Sequence, residues 1–334
     1  MSKEPSEQNS KLPLVIVNPK SAAGSTREAW AATASELRTH FGPYSAAFTK
    51  GAGDAIAIAE RAANEGRTFI IACGGDGTIN EVANGIIRSG ADAELGILPS
   101  GTGGDFRRSL KMPNQPREAA RALREGFTKR LDAGKVTFSG NDGEEVSRFF
   151  MNVSSVGLAA SIIDRVKGTK AFDWLPTKHL RGQANFAAST LREIADLEPF
   201  ILRVRIDDGD EMKLRSINFC VANARYFGGG MMIAPDASLS DGLLDIVNIG
   251  AISAAKVVAR GITLYRGTHL GLDEVDHRLA RKIEVAAIAR AAAVGDDDVV
   301  EGALLGAAAG KADLDHCGFS VLPSGRNGRV SRRL

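Results

Sequence analysis

The residues best suited to chemistry lie in one run, Cys73-Gly74-Gly75-Asp76-Gly77-Thr78-Ile79-Asn80-Glu81-Val82. Its closely spaced glycines let the backbone turn sharply and approach a ligand. A glycine-rich turn that runs into a helix aims N–H groups and the positive end of the helix dipole at one point, which makes an anion site. Asp76 puts a carboxylate inside that site. An acid facing phosphates makes physical sense if it holds Mg²⁺ or takes a proton from an attacking hydroxyl. No Gly-Lys-Ser/Thr follows, so the loop is not a Walker A motif. The bland alternative is a tight turn capped by Asp76.

The elements around the loop follow from hydrophobic spacing. Residues 67–72 are β-branched and aromatic and predict a buried strand, and residues 79–87 have helical spacing. The same alternation fills the first third of the chain. Further strands are expected at 12–17, 44–48 and 94–98. Helices are expected from Ser25, with Glu28 completing a capping box, from an Asp54 cap to Gly66, and over about 116–125. Strands alternating with helices imply βαβ units and a mostly parallel sheet. Ligands of such sheets bind beyond the carboxyl ends of the strands. The loops at Asn18, Thr49, Gly74 and Gly101 therefore converge on one cleft, and four converging loops point to a nucleotide.

From about residue 128 the pattern changes to longer β segments, at 129–138, 146–155, 201–206, 213–223 and 243–249. Asn141-Asp142-Gly143 predicts a hairpin turn between the first two, and helical patches fall at 159–166 and 184–194. A second domain of antiparallel sheets is expected. The chain then divides into a disordered tail (1–11), an α/β domain (12–127), a β-rich domain (128–323) and a basic tail (324–334).

Bulk properties exclude several classes. With 334 residues the chain can bury two cores. A net charge of +2 makes nucleic acid an unsuitable partner. Cys73, Cys220 and Cys317 suggest neither a disulfide framework nor a zinc site and fit a reducing cytosol. Residues 1–11 lack the apolar core of a signal peptide, and no apolar run reaches the roughly 20 residues that span a bilayer. A cytoplasmic protein with at most peripheral membrane contact is expected. The histidines show no metal-ligand spacing, and no Ser-His-Asp or Cys-His set is evident.

Five motifs together resemble the diacylglycerol kinase and sphingosine kinase superfamily, in its bacterial lipid-kinase branch. They are Val17-Asn18-Pro19-Lys20-Ser21, Gly74-Gly75-Asp76-Gly77-Thr78 through Glu81 and Asn84-Gly85, Pro99-Ser100-Gly101-Thr102-Gly103, Gly228-Gly229-Gly230, and Asp241-Gly242. The resemblance covers about residues 12–285. It implies an ATP-binding α/β domain, related to phosphofructokinases and NAD kinases, followed by a β-sandwich. It also implies ATP and Mg²⁺ as cofactors, a diacylglycerol-like or sphingoid lipid whose hydroxyl receives the γ-phosphoryl group, and a place in lipid metabolism and phospholipid synthesis. Asn18, Thr49, Gly74, Gly75, Asp76, Gly77, Thr78, Ile79, Asn80, Glu81, Gly101 and Thr102 would line the nucleotide. Asp76 would act at the phosphates, through Mg²⁺ or as a base, and Glu81 would orient the loop or the ribose region. Asp241, with backbone oxygens of Ser238 and Leu243, matches a structural Mg²⁺ site, a hard-oxygen set suited to that ion. A simple turn at Asp241-Gly242 is the alternative.

The chain also departs from the family pattern. Gly104 stands before Asp105 where the family usually carries Asn. The usual C-terminal Asp-Gly-Glu has its nearest counterpart at Glu301-Gly302-Ala303, so Glu301 is the second catalytic candidate. Loss of one acid from general acid–base catalysis is worth about 10²–10⁴-fold. Phosphoryl transfer depends mostly on positioning, so activity need not vanish. A basic segment with interleaved aromatics, from Arg165 to Arg181 around Trp174, is expected to face the membrane where the lipid enters, or else to be a loop with Trp174 in the core. A homodimer is compatible with this reading. Two rivals remain: a soluble-substrate kinase of the NAD kinase type, against which no Gly-Ser-Thr-Ala-Tyr-like segment is present, and a nucleotide- or lipid-binding pseudokinase.

Overall fold

A computed structural model describes residues 12–100, 104–139, 144–158, 194, 198–290, 317–322 and 330–331. The first domain is built on four parallel strands, β1 (Leu14–Val17), β2 (Ser45–Phe48), β3 (Phe69–Gly74) and β4 (Glu94–Pro99), in the order β2-β1-β3-β4. All residues of β1 and β3 are buried. That explains their unbroken apolar sequence, since parallel strands are covered on both faces. Leu14, Ile16, Ile70 and Ala72 pack against α2 (Asp54–Asn64) and α3 (Asp76–Ser89). Val15, Val17, Ile71 and Cys73 face α1 (Ser25–His40) and α5 (Pro116–Glu125) on the other side. A five-residue helix, α4 (Asp105–Ser109), follows the loop after β4.

Two helix caps differ from expectation, although α1 begins at Ser25 as expected. The cap of α1 is Gly24, in the left-handed conformation and with no side-chain bond, so Ser25 opens the helix instead of capping it. Gly53 likewise precedes α2, and the Asp54 carboxylate turns back to accept the N–H groups of Lys50 and Gly51 at 2.6 and 2.9 Å. Glycine reaches that conformation without Cβ strain, so the chain enters these helices by backbone geometry.

The second domain is a β-sandwich. One sheet has six strands: β6 (Ala133–Ser139), β7 (Glu145–Phe150), β9 (Phe200–Ile206), β10 (Met212–Ser216), β16 (Lys282–Arg290) and β17 (Cys317–Leu322), in the order β10-β9-β16-β17-β6-β7. The other has β8 (Val153–Gly157), β11 (Asn218–Ala222), β14 (Leu244–Ile249) and β15 (Val275–Ala280), in the order β15-β14-β11-β8. Phe138, Phe150, Leu202, Phe219, Ile246 and Ile283 fill the space between them. The alternate residues Cys220, Ala222 and Val247 face outward onto a third layer with Ile233, Ala234 and Leu264. A two-stranded hairpin, β12 (Tyr226–Phe227) and β13 (Met231–Met232), frames the Gly228-Gly229-Gly230 turn. Leu264 lies on α6 (Ala254–Arg266), a helix that the sequence pattern did not suggest.

The expected hairpin is present as the β6–β7 pair, with its turn outside the described residues. The expected basic tail holds a strand, β18 (Val330–Ser331), paired with β5 (Arg130–Leu131) at the junction of the domains. The expected helical patches at 159–166 and 184–194 lie outside the described residues, apart from a helical Ile194.

Candidate active site

The sheet order fixes where a ligand can sit. From β1 the chain crosses to β2 on one side, and from β3 it crosses to β4 on the other. The strand order therefore reverses between β1 and β3, and the crevice at their carboxyl ends is the switch point at which such sheets bind ligands. Asn18 and Gly74 leave the sheet there side by side. The Asn18 N–H donates to the Cys73 carbonyl at 3.0 Å, and its side-chain amide donates to Thr78 Oγ1 at 3.1 Å. A Cβ on Gly74 would come within 2.5 Å of Thr78 Oγ1, so only glycine fits beneath this contact. The loop after β2 joins through its Thr49 N–H, which donates to the Val17 carbonyl, and through Gly53, which donates to Glu81 Oε1 at 3.1 Å. Lys20 reaches the same loop, donating from Nζ to the Lys50 carbonyl at 3.0 Å. Ser100, after β4, donates its N–H to the Gly74 carbonyl. Loops from all four strands thus meet.

The floor of the crevice suits a phosphate. Gly75 caps α3 without any side-chain bond, and both Gly75 and Gly77 face open space where a Cβ would stand. Backbone at the start of α3 is therefore open to an anion. Ile79 does not face the crevice. Its side chain is buried in the core, and its N–H bonds the Gly75 carbonyl. Asn80 also points elsewhere, accepting the Met151 N–H on its Oδ1 at 3.2 Å. One turn on, the Asn84 amide exchanges two bonds with the main chain of Phe149, at 2.8 and 2.9 Å. Asn80 and Asn84 lie on one face of α3, so that face couples the domains.

Asp76 is the pivot of the site. Its two oxygens accept the N–H groups of Asp105 and Phe106, at 3.0 and 2.9 Å. It therefore serves the first turn of α4 while standing in the first turn of α3. A carboxylate between two helix N-termini is favoured by both dipoles and makes charge-assisted bonds. Each oxygen keeps a second lone pair for a ligand. Gly104 precedes Asp105 in the left-handed conformation, with φ +64°. Glycine and asparagine both tolerate that region, which accounts for glycine at a position where asparagine was expected.

Asp105 and Arg108 stood outside the expected site residues, and the Gly228-Gly229-Gly230 motif had no role assigned to it. The buried Asp105 carboxylate accepts from Arg108 at 2.6 Å and from the Gly229 N–H at 2.8 Å. Burial raises its pKa, more than the Gly229 and Arg108 contacts lower it. The chain Asp76–α4–Asp105–Gly229 carries the phosphate floor into the second domain. Beyond Gly228 a cavity of about 320 Å³ opens between α6 and the four-stranded sheet, lined by Ile217, Phe227, Met231, Val257, Leu264 and Val275 among others.

The loop expected to hold Mg²⁺ is tied down by its own main chain and by Asp132. Asp241 Oδ1 accepts the Leu243 N–H at 3.1 Å, and Gly242 donates to the buried Asp132. The Leu239 carbonyl accepts from the Asp132 N–H. Among the described residues no three acidic, His or Cys side chains converge on a metal position. A metal here would rely on one Asp241 oxygen and main-chain carbonyls. Gly101, Thr102, Glu301 and the Arg165 to Arg181 segment lie outside the described residues.

Comparison with known proteins agrees with this architecture. Residues 13–136 match the diacylglycerol kinase catalytic domain, and residues 153–308 match the YegS C-terminal NAD kinase beta sandwich-like domain. The chain belongs to the diacylglycerol kinase superfamily. Within this family, a diacylglycerol kinase of Mycobacterium tuberculosis is 29% identical over 235 residues, covering 70% of this chain and 72% of that one. A Chromohalobacter salexigens protein named probable lipid kinase YegS-like is 32% identical over 197 residues, 58% of each chain. The fold is shared with the crystal structure of a diacylglycerol kinase from Bacillus anthracis str. Sterne, with a TM-score of 0.63 and 22% identity over 97% of this chain and 96% of that one. Membership makes the chain a kinase and implies ATP as its phosphoryl donor. No helix among the described residues is long and apolar enough to cross a membrane.

Proposed function

We propose that the chain transfers the γ-phosphoryl group of ATP to a hydroxyl of a diacylglycerol-like or sphingoid lipid. The observation that carries this reading is the cavity beyond Gly228. Its lining is nearly all apolar, and it begins one residue from Gly229, which is tied through Asp105 to Asp76. An apolar site with few polar groups suits an acyl or sphingoid chain, with its headgroup directed to the crevice. The same lining disfavours a dinucleotide acceptor, which would bring phosphates into it.

In this reading the open backbone at Gly75 and Gly77 holds phosphate oxygens, with Asn18, Thr78 and Glu81 fixing the loops around it. Asp76 stands where the acceptor hydroxyl and the phosphates meet, and takes the proton or holds the metal. When bound there, Mg²⁺ would neutralise charge on the transferring group. Asp241 with the Ser238 and Leu243 carbonyls is the proposed second Mg²⁺ position, structural in role. A lipid acceptor requires work at a membrane surface, and ATP as the donor fits its cytoplasmic side.

Radiolabelled ATP offered with vesicles containing diacylglycerol, ceramide or sphingosine, and separately with NAD, tests the reading. Label is expected in a lipid. Label in NAD alone, or tight ATP binding with no transfer to any acceptor, would overturn it. Asp76→Asn should lower turnover at least about 10²-fold while ATP still binds.

A further inference from the structure

Helix α6, which covers the cavity, is apolar on two sides. Toward the cavity it presents Val257, Gly261 and Leu264. Away from it Val258, Ile262 and Tyr265 follow at i, i+4 and i+7, a single stripe with exposures of 58%, 54% and 49%. No residue of the helix is buried. Val258 and Tyr265 belong to both sides, because they also line the cavity. The cavity therefore opens through the exposed stripe. An apolar hollow with an apolar rim in water marks a surface meant to be covered. The charges on the helix are all of one sign: Lys256, Arg260 and Arg266, with no acid. Glu274, outside the helix, pairs with both Lys256 and Arg260, which leaves the patch net positive.

We propose that α6 lies flat on an anionic lipid bilayer, its stripe inserted among the acyl chains, so that the acceptor slides into the cavity without crossing water. This rests on reading the cavity as the acceptor's chain site. A helix with apolar residues on one face and cations beside them settles at the headgroup boundary, and each cation there is drawn to anionic lipid. Tyr265 adds a ring with a polar tip, which suits the same depth.

Ala255 and Ile262 share the outer face without lining the cavity, so they separate docking from acceptor binding. The full chain is sedimented with vesicles of phosphatidylcholine containing phosphatidylglycerol, as wild type, Ile262→Glu and Ala255→Glu. Each substitution should weaken partitioning at least about tenfold for the isoleucine and less for the alanine. Phosphorylation of a short-chain acceptor dispersed in water should stay within about twofold, because both sites are exposed. Phosphorylation of the same acceptor in vesicles should fall with partitioning. Unchanged vesicle binding by Ile262→Glu overturns the proposal. So does a wild-type dimer that this substitution disperses without loss of vesicle binding, which would make the stripe a contact between copies. If vesicle binding responds as expected but no lipid is phosphorylated, docking stands and the acceptor assignment falls.

Discussion

At the scale of single residues, the site depends on acids serving main-chain N–H groups. Asp76 holds α4, and Asp105, buried behind it, holds Gly229. Burial raises the Asp105 pKa above its usual 3.8, with the neighbouring Asp76 charge adding to the rise. A carboxyl raised in the folded state contributes stability that is fully present below its unfolded pKa and is lost as pH rises through the folded value. Compared with Asp105→Asn, which does not titrate, the wild type should therefore lose stability as pH rises above 3.8. Urea midpoints over a pH series read this directly, and parallel curves would clear Asp105 of the effect. Asp76 was legible in the sequence because its neighbours along the chain are glycines on a strand-to-helix turn. Asp105 was not, because its meaning comes from Gly229, 124 positions away.

At the scale of elements, the fit between α2 and α3 is the tightest packing that supports the loop. Gly85 sits on α3 against the Ile56 main-chain carbonyl and the Ala59 methyl group, and a Cβ there has no room. Gly85→Ala should destabilise the first domain by about 1–3 kcal/mol, seen as a lower urea midpoint, because the backbone of α2 must move. A neutral result would mean that the helices are free to slide. The parallel strands and α5 were readable from apolar runs and turn residues. Helix α6 was not, and the reason is physical: Val257, Val258, Ile262 and Thr263 are β-branched and Gly261 interrupts them, which weakens a helical reading although Ser253 and Gly267 cap its ends. The caps of α1 and α2 were misread because a side chain that could cap stood next to a glycine that shapes the turn unaided.

At the scale of the whole molecule, two domains are joined by side chains that imitate a strand. β7 is an edge strand of the six-stranded sheet, and the Asn84 amide gives and takes the bonds that a further strand would offer at Phe149. Asn84→Ala should cost about 1–3 kcal/mol through the unpaired groups it leaves. It should also lower turnover at saturating ATP more than it weakens ATP binding, since the crevice needs both domains. Steady-state kinetics beside direct nucleotide titration would show the split, and an equal loss in both would point to damage at the loop itself. The larger sheet has a further consequence, for synthesis. Its inner strand β17 lies between β6 and β16, yet Phe138 of β6 pairs with Cys317 of β17. A ribosome adding about 5–20 residues per second needs on the order of 10–40 s to pass from one to the other. During that interval the parallel domain can be complete while β6 waits with an open edge, so a newborn chain needs protection from before its midpoint until it is nearly finished.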